Sequence, residues 1–590
     1  MSSVVKKFLV AMLPLLVVLA IYSYPCVKAR AELGSRELPP IFAPDLSLYL
    51  NLSNAIPSAG NQVQNPYYRI PVPKNGSGYL KFDLAPRLFW NFTAILGHRI
   101  WIALFAWNLC WWLLLSGIAA LIFYKFLPSP SGSMVVLGVA LLMLFNFGVL
   151  RSLVSAWLHL PSSSAFAELG LPFMRAFIPV MPAALILSYL GLQIFVLRRK
   201  GVLPWCGMAA LQLLALAIFP YATLIMAGIT AVTVLSRAAR LLIARPWTTT
   251  LLYATACAAM DAGMLSRGSV GFYDDHSRSI HLQLYLLRHL IGTGWLLIAC
   301  LTAAIAFNKT LKSDLKWPLV GLGVSNAVLM LGDAVVPATK ILLSHHAGYF
   351  VHTTVATLLA FLLSAIVAGR RKASWIPDAA VAVLLVLVVA NGILLTTATY
   401  RRCLTANQET VELSNLRHSL NLTEKDLLVA SSLEVDDTCG WMALLSYSPE
   451  LFCTDSEVML TPKQNVEIHR FRQAIYLYLT GETGNSIAQK LASNPASELY
   501  RLGYWAEAVS ASKEEREDGL RRAGAELVPP LQKVEDHDVA VADFFRNFSR
   551  IVVIDRNTRP TFSAERLSSF FALEAQQTSG SFHVSYYKMP

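Results

Sequence analysis

FVHTTVATLLAFLLSAIVAG (residues 350–369), RRK (370–372) and WIPDAAVAVLLVLVVANGILLTTA (375–398) decide the fold. Each apolar run has the length of about 20 residues that a helix needs to cross the hydrocarbon of a bilayer. The short basic link between them belongs on the cytoplasmic side. The same unit recurs toward the N-terminus. Further apolar runs occupy 8–24, 100–124, 133–150, 176–197, 203–219, 221–236, 247–264, 284–306 and 317–338. Pro220 parts the fifth run from the sixth, because proline lacks an N–H and clashes with the preceding turn; one long kinked helix is the other reading of that stretch. Apolar residues make up 55% of the chain and charged residues 15%, more apolar surface than a soluble protein of this size can hide.

The basic residues set the orientation. Lys6 and Lys7 precede the first run, Lys125 follows the second, and Arg198, Arg199 and Lys200 follow the fourth. Arg237, Arg240 and Arg245 follow the sixth, and Lys309, Lys312 and Lys316 follow the eighth. Every second connection is therefore short and basic, which predicts a cytoplasmic N-terminus and an external C-terminus. Residues 1–31 read as an uncleaved anchor, since Lys28–Ala31 resembles a cleavage site only weakly. The expected fold class is an α-helical polytopic membrane protein, with about eleven transmembrane helices, N-in and C-out, and a C-terminal extracytoplasmic α/β domain. Its parts are a first helix (1–24), a long extracytoplasmic connection (25–99), a polytopic domain (100–400) and a soluble tail (401–590).

Charge differs sharply between these parts. Residues 1–400 hold 29 basic and 11 acidic side chains, and residues 401–590 hold 20 and 26, which together give the net +12 of the chain. The basic half suits anionic lipid head groups, and no basic stripe or motif points to nucleic acid. In the tail, DLLVASS (426–432), RIVVID (550–555) and FHVSYYKM (582–589) read as strands; VEIHRFRQAIYLYL (466–479) and 505–523 read as helices. Cys439 and Cys453 form a disulfide there or remain a pair of thiols. Cys110, Cys206, Cys257 and Cys300 lie in apolar runs and read as small packing residues. No zinc spacing, phosphate loop or nucleophile elbow occurs.

Nine of the eleven acids of the first 400 residues fall on the predicted outer side: Glu32, Glu37, Asp45, Asp83, Glu168, Asp261, Asp274, Asp275 and Asp333. Arg151, His159, Arg175, Arg267, Arg278, Arg288, Lys340, His345, His346 and His352 join them. Charges beside a bilayer are costly unless paired, hydrated or used, and for any one of these residues plain hydration is the simplest reading. Asp45, in APDLSLYLNLSN, is either a general base for an incoming hydroxyl or the N-cap of a short helix. Arg175, in FMRAFIPVMP, carries the planar, permanently charged fork that matches a phosphate, or anchors lipid head groups. Asp261 calls for a partner such as Arg267 or Arg288, and Asp333 for Lys340. Asp274 and Asp275 are a supporting pair or solvated surface. His345, His346 and His352, in HHAGYFVH, can move protons or donate to a phosphate oxygen. Metal binding is disfavoured because His345 and His346 are adjacent and diverge.

These strings resemble the bacterial polytopic membrane glycosyltransferases of the GT-C superfamily, which use polyprenyl-phosphate sugars. The resemblance covers roughly residues 1–400. It rests on the order of parts: an N-inside first span, a large acidic outer loop (PDLSLYLNLSN), then NPYYRIPVP and GYLKFDL, an aromatic-rich second span, MRAFIPVMP, HHAGYFVH and an outer C-terminal domain. It implies sugar transfer from a polyprenyl-phosphate donor to a hydroxyl of a glycan, lipid or protein acceptor, with inversion, at the outer face of the plasma membrane. It implies Asp45 as base and Arg175, Arg288, His345 and His346 around the lipid phosphate, with Asp261, Asp274, Asp275 and Asp333 in support. Asp45 stands alone where many such enzymes carry paired acids; no metal site is assigned, no cofactor is certain, and a divalent cation is left open. The rival readings are a transporter or flippase of lipid-linked saccharides, a ligase sharing the same topology, and a non-catalytic membrane scaffold.

Overall fold

The computed structural model describes residues 3–33, 50–51, 62–64, 68–69, 71–73, 84–97, 99–146, 171–174, 179–198, 203–241, 295–331, 343–370, 376–431, 438–446, 448–453, 466–504, 513–537, 539–557 and 561–588. The membrane half is helical: α1 (Ser3–Leu33), α2 (Leu84–Ile95), α3 (Ile100–Phe126), α4 (Gly132–Leu144), α5 (Val180–Arg198), α6 (Leu203–Ile218), α7 (Pro220–Leu241), α8 (Trp295–Phe307), α9 (Ser313–Met330), α10 (Leu343–Arg370) and α11 (Ile376–Ser419). A short hairpin, β1 (Gln62–Gln64) with β2 (Pro71–Pro73), lies between α1 and α2. Among the described residues, four helices are long and apolar enough to cross a membrane: α3, α5, Gly348–Gly369 within α10 and Asp378–Arg401 within α11. Of the remaining apolar runs, 8–24 lies within α1, those at 133–150, 203–219, 221–236, 284–306 and 317–338 overlap α4, α6, α7, α8 and α9, and 247–264 lies outside the described residues.

Pro220 separates two helices. α6 ends at Ile218 and α7 begins at Pro220, where the missing N–H costs nothing at a first helical position. The chain folds back on itself, since the Thr223 hydroxyl reaches the Gln212 carbonyl (3.5 Å) and the Gln212 amide reaches Tyr189, which meets Thr230 (2.5 Å). Glycines bring α7 and α9 together. A Cβ on Gly321 would stand 2.8 Å from Ile229 Cα, and one on Gly228 would strike Ser325. Small residues of this kind let helix backbones approach where lipid offers no hydrophobic drive. Cys110, Cys206 and Cys300 are not packing residues: all three are exposed on the outside of the bundle, where a small apolar thiol suits an apolar surround.

The two ends of the bundle differ chemically. At one end Tyr400 donates to Glu32, Lys28 lies over the Tyr400 ring, and Trp101 at the start of α3 meets Trp441 of the tail (6.1 Å). At the other end Arg198, closing α5, pairs with Asp314 in the first turn of α9 (2.5 Å) and lies over Phe126, which closes α3.

The tail builds a mixed sheet in the order β3 (Asp426–Ala430), β4 (Arg550–Arg556), β6 (Phe582–Lys588), β5 (Ala572–Ser579). β3 runs parallel to β4, and β6 antiparallel to both β4 and β5. Helices α12 (Thr438–Leu445), α13 (Val466–Leu479), α14 (Gly484–Ser493), α15 (Pro495–Arg501), α16 (Lys513–Glu535), α17 (Val539–Arg546) and α18 (Ala564–Ser568) complete it. Of the expected helix at 505–523, residues 505–512 lie outside the described residues; the rest belongs to Lys513–Glu535, which continues through Pro529 and Pro530. Cys439 and Cys453 are joined.

Substituting Gly321 by alanine places a methyl against the Ile229 backbone, which cannot rotate away. Overpacking of this kind costs about 1–3 kcal/mol, so Gly321→Ala will melt below wild type in detergent by static light scattering or intrinsic fluorescence. Gly117→Ala, whose Cβ meets nothing, will not.

Candidate functional site: a pinned entry to α5

Leu171–Met174 is the described segment nearest in sequence to Arg175, and it is not helical. All four of its residues are buried or half-buried, with Phe173 fully so. A non-helical backbone inside a membrane bundle must have its polar groups satisfied by the protein, and here side chains do that work. The Leu171 N–H donates to the Thr399 hydroxyl of α11 (3.1 Å). The Phe173 N–H donates to the Tyr22 hydroxyl of α1 (3.4 Å), and its carbonyl accepts from the Trp112 indole of α3 (2.8 Å). Trp112 stands eleven residues inward of Trp101, about 16 Å of helix. The segment therefore runs from the end that carries the tail into the bundle.

Tyr22, with His352, also closes the end of α4. The last carbonyls of a helix have no partner within it. Those of Leu142 and Met143 accept from His352 Nε2 (2.5 Å) and from the Tyr22 hydroxyl (2.6 Å). His352 also sets its ring edge-on to Phe173 (centroids 5.4 Å apart), and Tyr22 lies against Trp112 (4.8 Å). Of the HHAGYFVH histidines, His352 thus clamps α10 to the end of α4. His345 and His346 fall in the first turns of α10, with side chains outside the described residues. Asp45, Arg175, Asp261, Asp274, Asp275, Arg288 and Asp333 all lie outside the described residues. What the sequence reading missed is the clamp on Leu171–Met174: Tyr22, Trp112 and Thr399 carry no charge and sit in or beside apolar runs, so only their hydroxyl and indole groups mark them.

A second polar cluster ties the first connection to the tail. Tyr68 is buried in the tail's core, its hydroxyl 2.7 Å from His469 Nδ1 and its ring 4.4 Å beneath the Arg472 guanidinium. Arg69, at a left-handed φ of 55°, donates to the carbonyls of Ala443 and Ser446 (2.8 and 2.7 Å) at the end of α12, where a cation also complements the helix dipole. The Asn51 amide donates to the Gly440 carbonyl (2.9 Å). Arg472 donates to the Glu450 carbonyl (2.7 Å) and remains a cation although burial pulls its pKa down to about 10. Burial, then Arg470 and Arg472, hold the His469 ring well below the usual histidine range, so it is neutral at neutral pH. The sulfurs of Cys439 and Cys453 lie within 4.8 Å of a Glu450 carboxylate oxygen; bonded to each other, they are not thiolate ligands for a metal.

No family model and no curated protein sequence matches this chain.

Two outcomes follow. Trp112→Phe removes the donor to the Phe173 carbonyl and leaves a buried acceptor unpaired, a loss of about 1–3 kcal/mol; its melting temperature will fall, while that of Cys110→Ala, on the exposed face of the same helix, will not. The second concerns pH. An unfolded His469 takes up a proton near pH 6.5 and the folded ring does not. Its contribution is therefore present above that pH and is lost as pH falls toward the depressed folded value. Thermal melts should show a wild-type loss of stability on acidification below about pH 6.5 that His469→Gln lessens.

Proposed function

We propose that this chain is an integral membrane glycosyltransferase of the plasma (inner) membrane, spanning it about eleven times with its N-terminus inside and its C-terminal domain outside. It moves a sugar from a polyprenyl-phosphate donor to an acceptor hydroxyl of a glycan, lipid or protein. The observation that carries the reading is the buried, side-chain-pinned segment Leu171–Met174, which leads in sequence straight to Arg175. Irregular backbone within a membrane domain is tolerated where it is buried in protein or lines a cavity, and ligand sites are built beside such breaks in helices. Two further observations support the orientation. Arg198 and Asp314 lie at the end away from the tail, and a disulfide in the tail suits an oxidising compartment.

In this reading the acceptor oxygen attacks the anomeric carbon as the bond from that carbon to the phosphate oxygen breaks. Asp45 takes the hydroxyl proton, and the configuration inverts. Arg175 and Arg288, with His345 and His346, stabilise the charge that gathers on the departing lipid phosphate. Asp261, Asp274, Asp275 and Asp333 hold these cations in place. The first connection, anchored through Asn51, Tyr68 and Arg69 on the tail, positions the acceptor.

A transporter of lipid-linked saccharides is the second reading, because Tyr189, Gln212 and Thr230 form a buried polar group among α5, α6 and α7. The transferase is preferred because these three bond to one another and carry no charge.

The test is binding of a polyprenyl-phosphate monosaccharide to the detergent-purified protein. Wild type and Asp45→Asn will bind it, and Arg175→Ala will lose at least tenfold in affinity, the scale of one charge-assisted phosphate contact. A folded wild type that does not bind sinks the transferase, and flux assays in liposomes then address transport.

A further inference from the structure

The helix α2, Leu84–Ile95 (LAPRLFWNFTAI), carries more apolar surface than the protein covers. Its buried line is Ala85, Phe89 and Thr93, one residue in four, which faces α3 and α6. Phe89 and Phe92 meet Trp107 of α3 edge-on, with centroids 5.7 and 5.6 Å away. On a helical wheel the apolar arc continues past Phe92 to Leu88, Ile95 and Leu84. Leu88 and Ile95 are exposed, Ile95 to 80%. Asn91 and Ala94, also exposed, lie beyond them on the polar side with Arg87. The exposed arc continues onto the outside of α3, where Ile102, Leu113 and Leu114 are exposed as well.

Gly97 allows this arrangement. Its φ of +66° and its N–H bond to the Ala94 carbonyl stop α2 within one turn, as a left-handed glycine does at a helix end. α3 starts at Ile100, so α2 is folded back over the outer turns of α3 and not continued into it.

We infer that α2 is an interfacial helix whose Leu88–Ile95 edge is seated in the lipid surface, at the boundary of head groups and acyl chains on the side of the membrane that carries the tail. An amphipathic helix with a wide apolar arc sits at about that depth, and Trp90 on α2 and Trp101 at the start of α3 are the residue type that favours it. The partner is the bilayer, and its contact with α2 continues the lipid contact of α3. The inference rests on α3 being a membrane span and is independent of sugar transfer.

The experiment uses full-length protein in nanodiscs of phosphatidylethanolamine and phosphatidylglycerol. The six cysteines other than Cys439 and Cys453 are replaced by alanine, and an environment-sensitive fluorophore is attached to Ile95→Cys, Asn91→Cys or Leu114→Cys. The probe at 95 should be quenched by lipid bearing a nitroxide near the head group and shielded from aqueous iodide. The probe at 91 should respond to iodide, and the probe at 114 to a nitroxide deep in the acyl chains. Iodide quenching at 95 matching that at 91, with 114 in lipid, overturns the seating of α2. Shielding at 95 from both quenchers, with the mass of a dimer, assigns that edge to a second copy and also overturns it. A probe at 114 that meets iodide and not lipid overturns the membrane reading and this inference together.

Discussion

The structure turns on one constraint: a backbone that leaves the helical path inside the bundle has no water to bond to. Leu171–Met174 meets it with hydroxyl and indole groups from three helices that are remote in sequence. Tyr22 serves twice, donating to Met143 and accepting from Phe173, so α1, α4 and the entry to α5 are fixed to each other by one oxygen. Leaving any of these groups unpaired would cost more than the modest net gain of making the bond. The clamp therefore acts mainly by excluding other arrangements of the segment.

That constraint links the membrane core to the tail. α11 carries Thr399, which holds Leu171, and then runs on without a break to Ser419 beside the sheet. The tail in turn takes up Tyr68 and Arg69 from the first connection. The change of composition at residue 401, which reads as a domain border, falls within a continuous helix. Polar anchors on both sides of it tie a basic, apolar half to an acidic, folded one. Trp101 against Trp441 adds an aromatic contact at the same junction.

Much of this was legible from residue types alone. The apolar runs mark helices because burial among helices or in lipid leaves no other use for so many consecutive apolar residues. Asp426–Ala430, Arg550–Arg556 and Phe582–Lys588 were visible as strands through their β-branched and aromatic content. β5, ALEAQQTS, was not: it is exposed along nearly its whole length and has the composition of a loop. It is a strand only because β6 pairs with it. The clamp was equally hidden. Tyr22, Trp112, His352 and Thr399 come from four helices with no shared spacing, and each alone looks like an ordinary member of an apolar run. His352 drew notice for its chemistry, and its actual partner, the Leu142 carbonyl, is a group that every helix end has.

The charges and the clamp bear differently on function. The outer carboxylates and cations suggested chemistry because ions near a bilayer are expensive, yet Glu32, the one of those acids among the described residues, serves structure by meeting Tyr400 and Lys28. A charge on that face is therefore not, by its position alone, available to a substrate. A conformation held against its own preference is the more discriminating signal, because its polar groups must be compensated elsewhere. Among the described residues such places include the pinned entry before Arg175 and the left-handed Arg69 on α12. Both belong to segments that flank the proposed base and phosphate ligand in sequence, one in the core and one on the tail. A site assembled between them would draw its rigidity from the membrane helices and its cover from the first connection. That division suits a reaction whose donor is a lipid and whose acceptor arrives from water.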